Sequence, residues 1–100
     1  MEQDFEFQFE WDPAKARQNV RKHGISFTRA ASLFLDRHAL SEYDVAHSRA
    51  ENRWITIGLD RVGTLIVVCH TYEEETSASV RVRIISARRA SQNEARQYER

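Results

Sequence analysis

Residues 80–90 of this chain read Val80-Arg81-Val82-Arg83-Ile84-Ile85-Ser86-Ala87-Arg88-Arg89-Ala90. β-Branched residues alternate with arginines over the first half, and this period of two predicts a strand with one face in the core. Arg81 and Arg83 belong to the other face. We expect Arg88 and Arg89 in the turn that follows, just before a helix that starts at Ser91. Guanidinium groups are planar, permanently charged donors, so a rigid strand and turn that carry four of them suit the binding of phosphate.

A second interpretation of the same arginines is a solvated edge that pairs with the acids at positions 73–75. The charge distribution bears on this choice. The net charge of the chain is zero, but residues 13–40 hold six bases against one acid and residues 81–100 hold six against two. Two basic blocks can fold into one basic face, whereas a neutral total excludes a bulk polycation. Any contact with nucleic acid is therefore predicted to be local.

Length and composition predict one domain over residues 1–100 with a single hydrophobic core, since 41% of the 100 residues are hydrophobic. No apolar run reaches the length that spans a membrane, so no membrane contact is expected. The acidic N-terminus does not resemble a signal peptide, and the single cysteine excludes an internal disulfide. These features predict a cytoplasmic protein.

The first half of the chain predicts one strand and two helices. Residues 5–11 alternate aromatic and polar side chains, which is typical of a half-buried strand. Asp12 followed by proline predicts a helix start, and Gly24 predicts its end after His23. A second helix starts at Ser26, and its predicted apolar face consists of Phe27, Ala30, Ala31, Phe34 and Leu35.

The second half predicts a meander of three antiparallel strands. A short strand at 39–43 and a loop at 44–52 precede a hairpin of residues 53–59 and 64–72. A polar link at 73–77 leads to the strand at Val80, and Ser91 with Glu94 fits a capping box for a last helix over 92–98. The predicted fold class is α+β: a small antiparallel β-sheet of three or four strands, packed with α-helices on one face.

The titratable residues indicate no metal site, because no two of the four histidines and the cysteine have the sequence spacing of a metal-binding pair on one surface. Nucleotide-phosphate loops and nucleophile motifs are also absent from the sequence, and no cofactor is predicted. General acid–base chemistry stays open. His70 ends the predicted central strand and either shares a surface with Arg81 and Arg83 or is a core-edge histidine satisfied by backbone. His23 either titrates or caps a helix C-terminus, and Trp11 either fills the core or stacks on a base.

Five segments of the sequence, in order and over nearly the whole chain, resemble the BrnT family of bacterial type II toxins. They are FEWDPAK (9–15), NVRKHGISF (19–27), ENRWITIG (51–58), VVCHT (67–71) and RIISARRA (83–90). The resemblance implies a RelE-like fold and a metal-independent endoribonuclease that inhibits translation, using the 2′-hydroxyl of its RNA substrate as the nucleophile. It also implies a BrnA-type antitoxin with a ribbon-helix-helix domain, so that operator DNA is bound only through the antitoxin complex.

Under this resemblance, the basic and titratable residues take expected roles. Arg81 and Arg83 are expected to stabilise the phosphate, with His70 as the first choice for proton transfer and His23 as the second. The remaining residues expected to contact RNA are Lys22, Arg88, Arg89 and Trp11. The alternative is a non-catalytic, degenerate toxin that binds the antitoxin and co-regulates transcription.

Overall fold

The N-terminal strand forms where the aromatic alternation predicts it in the computed structural model of this protein, which describes residues 5–99. β1 spans Glu6–Glu10, with Phe7 and Phe9 packed against the core and the polar residues between them exposed. A period of two in the sequence has therefore become one buried and one solvated face.

The first helix begins and ends at its predicted capping residues. α1 spans Pro13–His23, and the Asp12 carboxylate accepts the N–H of Ala14 at 2.9 Å. Gly24 ends the helix with a φ of 71°, a left-handed conformation that favours glycine. Both ends confirm the prediction.

The second helical segment differs from its predicted apolar face. α2 spans Phe27–Ala31 and tightens into a 3₁₀ turn over Ser32–Leu35. Leu35 is 81% exposed, whereas Leu33 is fully buried. A 3₁₀ turn has three residues per turn, so the core position after Ala30 falls three residues later, at Leu33. The inclusion of Leu35 in the buried face was therefore wrong.

The remaining elements follow in chain order. They are β2 at Leu40–Tyr43, a 3₁₀ turn at Val45–His47, β3 at Trp54–Leu59, β4 at Leu65–His70, β5 at Glu73–Thr76, β6 at Ser79–Arg89 and α3 at Gln92–Tyr98. The predicted hairpin of β3 and β4 is confirmed. So is the capping box of α3, in which the Ser91 hydroxyl and the Glu94 carboxylate each accept the other's backbone N–H.

The sheet is mixed and has six strands, in the order β1-β6-β4-β3-β2, with β5 also paired to β6. The antiparallel meander β3-β4-β6 is confirmed, and β4 lies at its centre. The prediction of a purely antiparallel sheet of three or four strands was wrong, because β1 pairs with β6 in parallel. The eleven residues of β6 are long enough to pair with β1 along one edge and with β4 and β5 in succession along the other.

Two segments that were predicted as connections are parts of strands. The polar stretch at 73–77 contains β5, in which Glu73 pairs with Arg81 of β6. Opposite charges on paired strands offset the low strand propensity of glutamate. At its other end, β6 continues through Arg88 and Arg89, so these arginines end the strand and do not lie in a turn.

Helices cover both faces of the sheet. α1 and α2 pack on the face whose side chains include Val80, Val82 and Ile84. Val67 faces the opposite way, beside its pairing partner Arg88, which binds Glu94 of α3. The prediction of helices on one face was wrong, because β4 is apolar on both faces and needs cover on both. Within residues 5–99, no helix has the length and apolar content needed to cross a membrane.

A buried asparagine completes the edge of β6 where β1 ends. β1 pairs with β6 only as far as Arg83. Beyond that point, Asn19 of α1 accepts the N–H of Ala87 at 3.0 Å and donates to the carbonyl of Ala87 at 2.8 Å. It also donates to the carbonyl of Ile25 at 2.8 Å. α1 therefore advances along β6 in the same direction as the strand, and is fixed to it.

Candidate functional site

A cavity of about 470 Å³ opens beside Arg83, at the start of α1. Its lining residues are Asp12, Lys15, Ala50, Glu51, Arg83, Ile84 and Ile85. The cavity therefore joins β6, the first turn of α1 and the loop before β3. Two basic and two acidic side chains meet in one concave place.

The Arg83 guanidinium donates a hydrogen bond to the Glu51 carboxylate, which also accepts from Arg53 at 3.3 Å. The hydrogen bond from Arg83 holds the pKa of Glu51 below its usual value. The pKa of Glu51 is therefore expected to rise if the Arg83 guanidinium turns away to another ligand.

The backbone of Arg83 is held firmly. Its N–H donates to the Thr71 hydroxyl at 3.1 Å, and its carbonyl accepts the Thr71 N–H at 3.0 Å. Thr71 is itself buried. The guanidinium thus projects from a fixed point into the cavity, which is the arrangement that precise binding of an anion requires.

Two further strand arginines are also paired with acids. Arg81 contacts Glu75 at 2.8 Å. Arg88 binds Glu94 through two hydrogen bonds of 2.8 and 2.9 Å, and these lower the pKa of Glu94 to about 2. The pairing of Arg81 matches the second interpretation of the arginines, in which they contact the acids at 73–75.

The predicted basic residues divide into two groups along β6. Arg81 and Arg83 lie in the half that pairs with β5 and β1, whereas Arg88 and Arg89 lie at the far end. α1 runs alongside β6 in the same direction, so its two ends lie near different ends of the strand. Its Lys15 lines the Arg83 cavity, but its last turn, which contains Lys22 and His23, lies about 12 Å further along the helix. The structure does not bring His23 to Arg83.

His70 is buried on the face of the sheet that α1 and α2 cover, with 1% of its surface exposed. Its Nδ1 donates to the carbonyl of Thr71 at 2.8 Å, so the neutral ring accepts from the Thr56 hydroxyl through Nε2 at 2.7 Å. Burial lowers the pKa of His70. The expectation that it shares a surface with Arg81 and Arg83 was wrong, because the register pairs it with the core residue Ile84.

Trp11 packs with the core. Its ring meets that of Phe27 edge to face, with the centroids 6.0 Å apart. Its partial burial agrees with the core interpretation of this tryptophan.

Comparisons with known proteins show which family the chain belongs to. The family model described as "Ribonuclease toxin, BrnT, of type II toxin-antitoxin system" matches residues 11–94. The chain belongs to the BrnT family. A solved structure of the Brucella abortus ribonuclease toxin, BrnT, is similar to it, with a TM-score of 0.57 and 25% sequence identity. That match covers 87% of this chain and 99% of the Brucella chain. A search of curated proteins finds no significant match.

The BrnT-family region includes the whole Arg83 cavity and both basic groups, since it extends from residue 11 to residue 94. Membership of a family of type II ribonuclease toxins implies RNA as the substrate class and an antitoxin as the partner.

Sequence reasoning did not single out Lys15 and Glu51, which line the Arg83 cavity. Lys15 is one of several bases along α1, and only its position in the first turn places it at the cavity. Glu51 lies in a polar loop that has no hydrophobic period. Its contact with Arg83 joins residues 32 positions apart, so hydrophobic periodicity carries no signal for it, and only the family resemblance of residues 51–58 includes it.

Proposed function

We propose that this BrnT-family chain is a metal-independent endoribonuclease that cuts RNA and thereby inhibits translation. The observation that supports this proposal best is the joining of Arg83, Glu51 and Lys15 in one cavity. A guanidinium, a carboxylate and an ammonium group supply positive charge, a base and an acid, which are what RNA cleavage through the substrate's own 2′-hydroxyl requires. The RelE-like relationship of the fold belongs to the same proposal.

Arg83 binds the scissile phosphate. The phosphate competes with Glu51 for the guanidinium, because both ligands match its planar pair of donors. Once Arg83 turns to the phosphate, Glu51 loses the hydrogen bond that lowers its pKa. The carboxylate then becomes a stronger base at the moment when the substrate is in place.

Glu51 accepts the proton of the 2′-hydroxyl as that oxygen attacks phosphorus. The bond from phosphorus to the 5′-oxygen breaks, and the Lys15 ammonium group gives a proton to the leaving oxygen. The products are a 2′,3′-cyclic phosphate and a 5′-hydroxyl. Arg81 and Arg88 hold phosphates on either side of the scissile one. Lys22 and Arg89 stay as predicted contacts to more distant phosphates of the RNA, whereas Trp11 is no longer proposed as a contact, because its ring packs on Phe27.

The test uses end-labelled RNA incubated with the purified protein in EDTA. We expect cleavage with a 5′-hydroxyl terminus, and its loss in Arg83→Ala. The matched control is Arg61→Ala, which removes an exposed arginine from the hairpin turn, away from the cavity. Intact RNA, both free and on translating ribosomes, would contradict the proposal.

We also propose that the partner is a BrnA-type antitoxin with a ribbon-helix-helix domain. Operator DNA is then bound only through the complex of toxin and antitoxin. The toxin acts in the cytoplasm, where its RNA substrates are. Such a partner is expected in the adjacent reading frame. Co-expression of that frame should restore growth and yield a complex with this chain. Failure of the two proteins to co-purify would remove this part of the proposal.

A second candidate function is a non-catalytic module that binds the antitoxin and co-regulates transcription. It is favoured by the ion pairs of Arg81, Arg83 and Arg88, each of which already has a carboxylate partner. Expression of the chain without any partner separates the two functions. Growth arrest that is lost in Arg83→Ala supports the ribonuclease, whereas normal growth with the wild-type chain supports the module.

A further inference from the structure

The first strand, β1, lies at one end of the sheet, and its outer edge has no partner strand within residues 5–99. We propose that this edge binds an extended segment of the antitoxin, in which apolar residues alternate with lysine or arginine. This inference rests on the proposed function, because it specifies where the partner of the toxin docks. We refer to the outer edge of β1, with the side chains of residues 5–10, Phe34 and Leu35, as the β1 edge.

The backbone of β1 offers hydrogen bonds on its outer side. The N–H of Glu6 donates to the carbonyl of Ala78 at 2.8 Å, which is the side of β6. In a parallel pair, alternate residues bond to the same neighbour, so Phe7 and Phe9 direct their N–H and carbonyl groups outward. Unpaired groups of this kind form a template on which another extended chain can add as a strand.

A largely apolar cavity of about 410 Å³ flanks the β1 edge on the face of the sheet that α1 and α2 cover. Three phenylalanine rings form its wall: the centroid of Phe9 lies 5.8 Å from that of Phe7 and 5.4 Å from that of Phe34. Phe5 and Leu35 also line the cavity, and they are 49% and 81% exposed. Contiguous apolar surface beside a free strand edge is typical of a protein-binding surface.

The opposite flank of the β1 edge is acidic. Glu6, Gln8 and Glu10 are exposed there and alternate with the phenylalanines along the strand. Arg83, which lies opposite Glu10 on β6, is already paired with Glu51. A segment that pairs with β1 therefore meets apolar side chains on one face and carboxylates on the other. Alternating apolar and basic residues match both faces, since opposite charges on neighbouring strands stabilise the pairing.

A second copy of this chain fits the β1 edge less well. When two β1 strands overlap fully, in either direction, glutamates of one copy lie against glutamates of the other, because positions 6 and 10 are both acidic. Like charges at directly opposite strand positions are destabilising. The charge of the edge therefore favours a basic partner over self-association.

The position of the β1 edge links docking to inhibition. Glu10, at the end of β1, pairs with Arg83, and the lining of the Arg83 cavity starts two residues later, at Asp12. A strand added to β1 lies two strand spacings, about 10 Å, from β6. Its continuation beyond Glu10 therefore reaches the cavity in which we propose that the RNA phosphate binds.

The test is hydrogen exchange, followed by NMR, in the free ¹⁵N-labelled full chain and in its complex with the protein encoded by the adjacent reading frame. We expect exchange of the Phe7 and Phe9 N–H groups to slow about tenfold or more in the complex. The N–H of Gln8, which is directed to β6, is the internal control and should exchange at the same rate in both states. Unchanged exchange of Phe7 and Phe9 in a stable complex would overturn the inference.

Two substitutions of exposed side chains test the two flanks of the β1 edge. Leu35→Ser should weaken binding of this partner about tenfold, since it removes an apolar side chain that the partner buries. Glu6→Lys should weaken it about fivefold, since it places a base against a base. The matched controls are Val62→Ser, an exposed apolar residue in the hairpin turn, and Glu42→Lys, an exposed acid on the other edge strand, β2; both should bind as the wild type does.

The outcomes separate this inference from the proposed function. Weaker binding by Leu35→Ser and Glu6→Lys than by their controls, together with protection of Phe7 and Phe9, supports the β1 edge. If the partner binds both variants as tightly as the controls, the β1 edge is not the docking surface and the proposed partner stands. If the adjacent reading frame encodes no protein that binds, both are overturned, while the cleavage assay in EDTA still decides the ribonuclease proposal.

Discussion

Asn19 binds both backbone hydrogen-bonding groups of Ala87, 68 residues away. A side-chain amide carries an acceptor oxygen and an NH2 group with two donors, so Asn19 can bind the N–H and the carbonyl of Ala87 as a neighbouring strand would, and still donate to Ile25. It does so on the edge of β6 that β1 leaves unpaired. The first helix is thereby attached to the strand that carries the arginines.

Asn19→Ala should therefore lower the free energy of unfolding by about 3 kcal/mol, because it leaves buried backbone groups of Ala87 and Ile25 without partners. Urea denaturation followed by circular dichroism measures this loss. Gln18→Ala, at the exposed neighbouring position, is the control and should change stability little. A small effect of Asn19→Ala would mean that water can replace the amide at the edge of β6.

Glu51→Gln should separate binding from cleavage. The substitution releases Arg83 from its ion pair and removes the proposed base. We expect the affinity for a non-cleavable 2′-O-methyl RNA to rise severalfold and the cleavage rate to fall by a factor of about 10² or more. Fluorescence anisotropy and single-turnover cleavage measure the two effects. Weaker RNA binding in Glu51→Gln would show instead that Glu51 is needed to position Arg83.

Because of the ion pair between Arg88 and Glu94, we expect the free energy of unfolding to depend on pH in the acidic range. The pKa of Glu94 is about 2 in the folded chain, against an ordinary value of 4.5. Because the folded-state pKa is the lower one, the contribution of this pair is complete above about pH 4.5 and is lost as the pH falls towards 2. Glu94→Gln keeps a capping-box residue but removes the charge. Its stability should lie below that of the wild type at pH 7, and the two should converge at pH 2.

The control for this measurement is Gln97→Ala, because Gln97 is exposed on the same helix and has no titratable group. Its difference from the wild type should be the same at pH 7 and at pH 2. A constant difference for Glu94→Gln over this range would contradict the proposed contribution of the ion pair.

His70 predicts a second dependence on pH, nearer to neutrality. Burial lowers the pKa of this imidazole below 6.5, so the folded state prefers the neutral ring. The unfolded chain then binds a proton at a higher pH than the folded chain does, and stability falls as the pH drops below about 6.5. His70→Gln should flatten this part of the stability profile. An unchanged slope in His70→Gln would contradict this contribution of His70.

Local features of the fold could be predicted from the sequence because their causes are local. The cap at Asp12, the end at Gly24 and the capping box at Ser91 each depend on hydrogen bonds within a few residues. Hydrophobic alternation likewise predicted β1 and the hairpin of β3 and β4. The error at Leu35 arose within a helix, where a change from α to 3₁₀ geometry has no clear pattern in the sequence.

The candidate site could be predicted only in part because it depends on contacts between distant residues. The sequence indicated Arg83 but not Glu51, since the loop that carries Glu51 has no periodic pattern. The side on which His70 lies was decided by strand register. Pairing with Ile84 sends the ring into the core, and a slip of one residue would send it to the other face. The parallel pairing of β1 with β6 is also a long-range contact, and the hydrophobic pattern of neither strand predicts it.

The carboxylates paired with the strand arginines have a consequence for how RNA binding responds to ionic strength. Ordinary basic proteins gain affinity by releasing mobile cations from nucleic acid, and lose it steeply as salt is added. In this protein, Arg81, Arg83 and Arg88 each have a covalently tethered counter-ion, which a phosphate must displace. Attraction at long range is therefore weak for any polyanion, DNA included. The toxin would discriminate at close range, in favour of RNA whose phosphates reach all three guanidinium groups together.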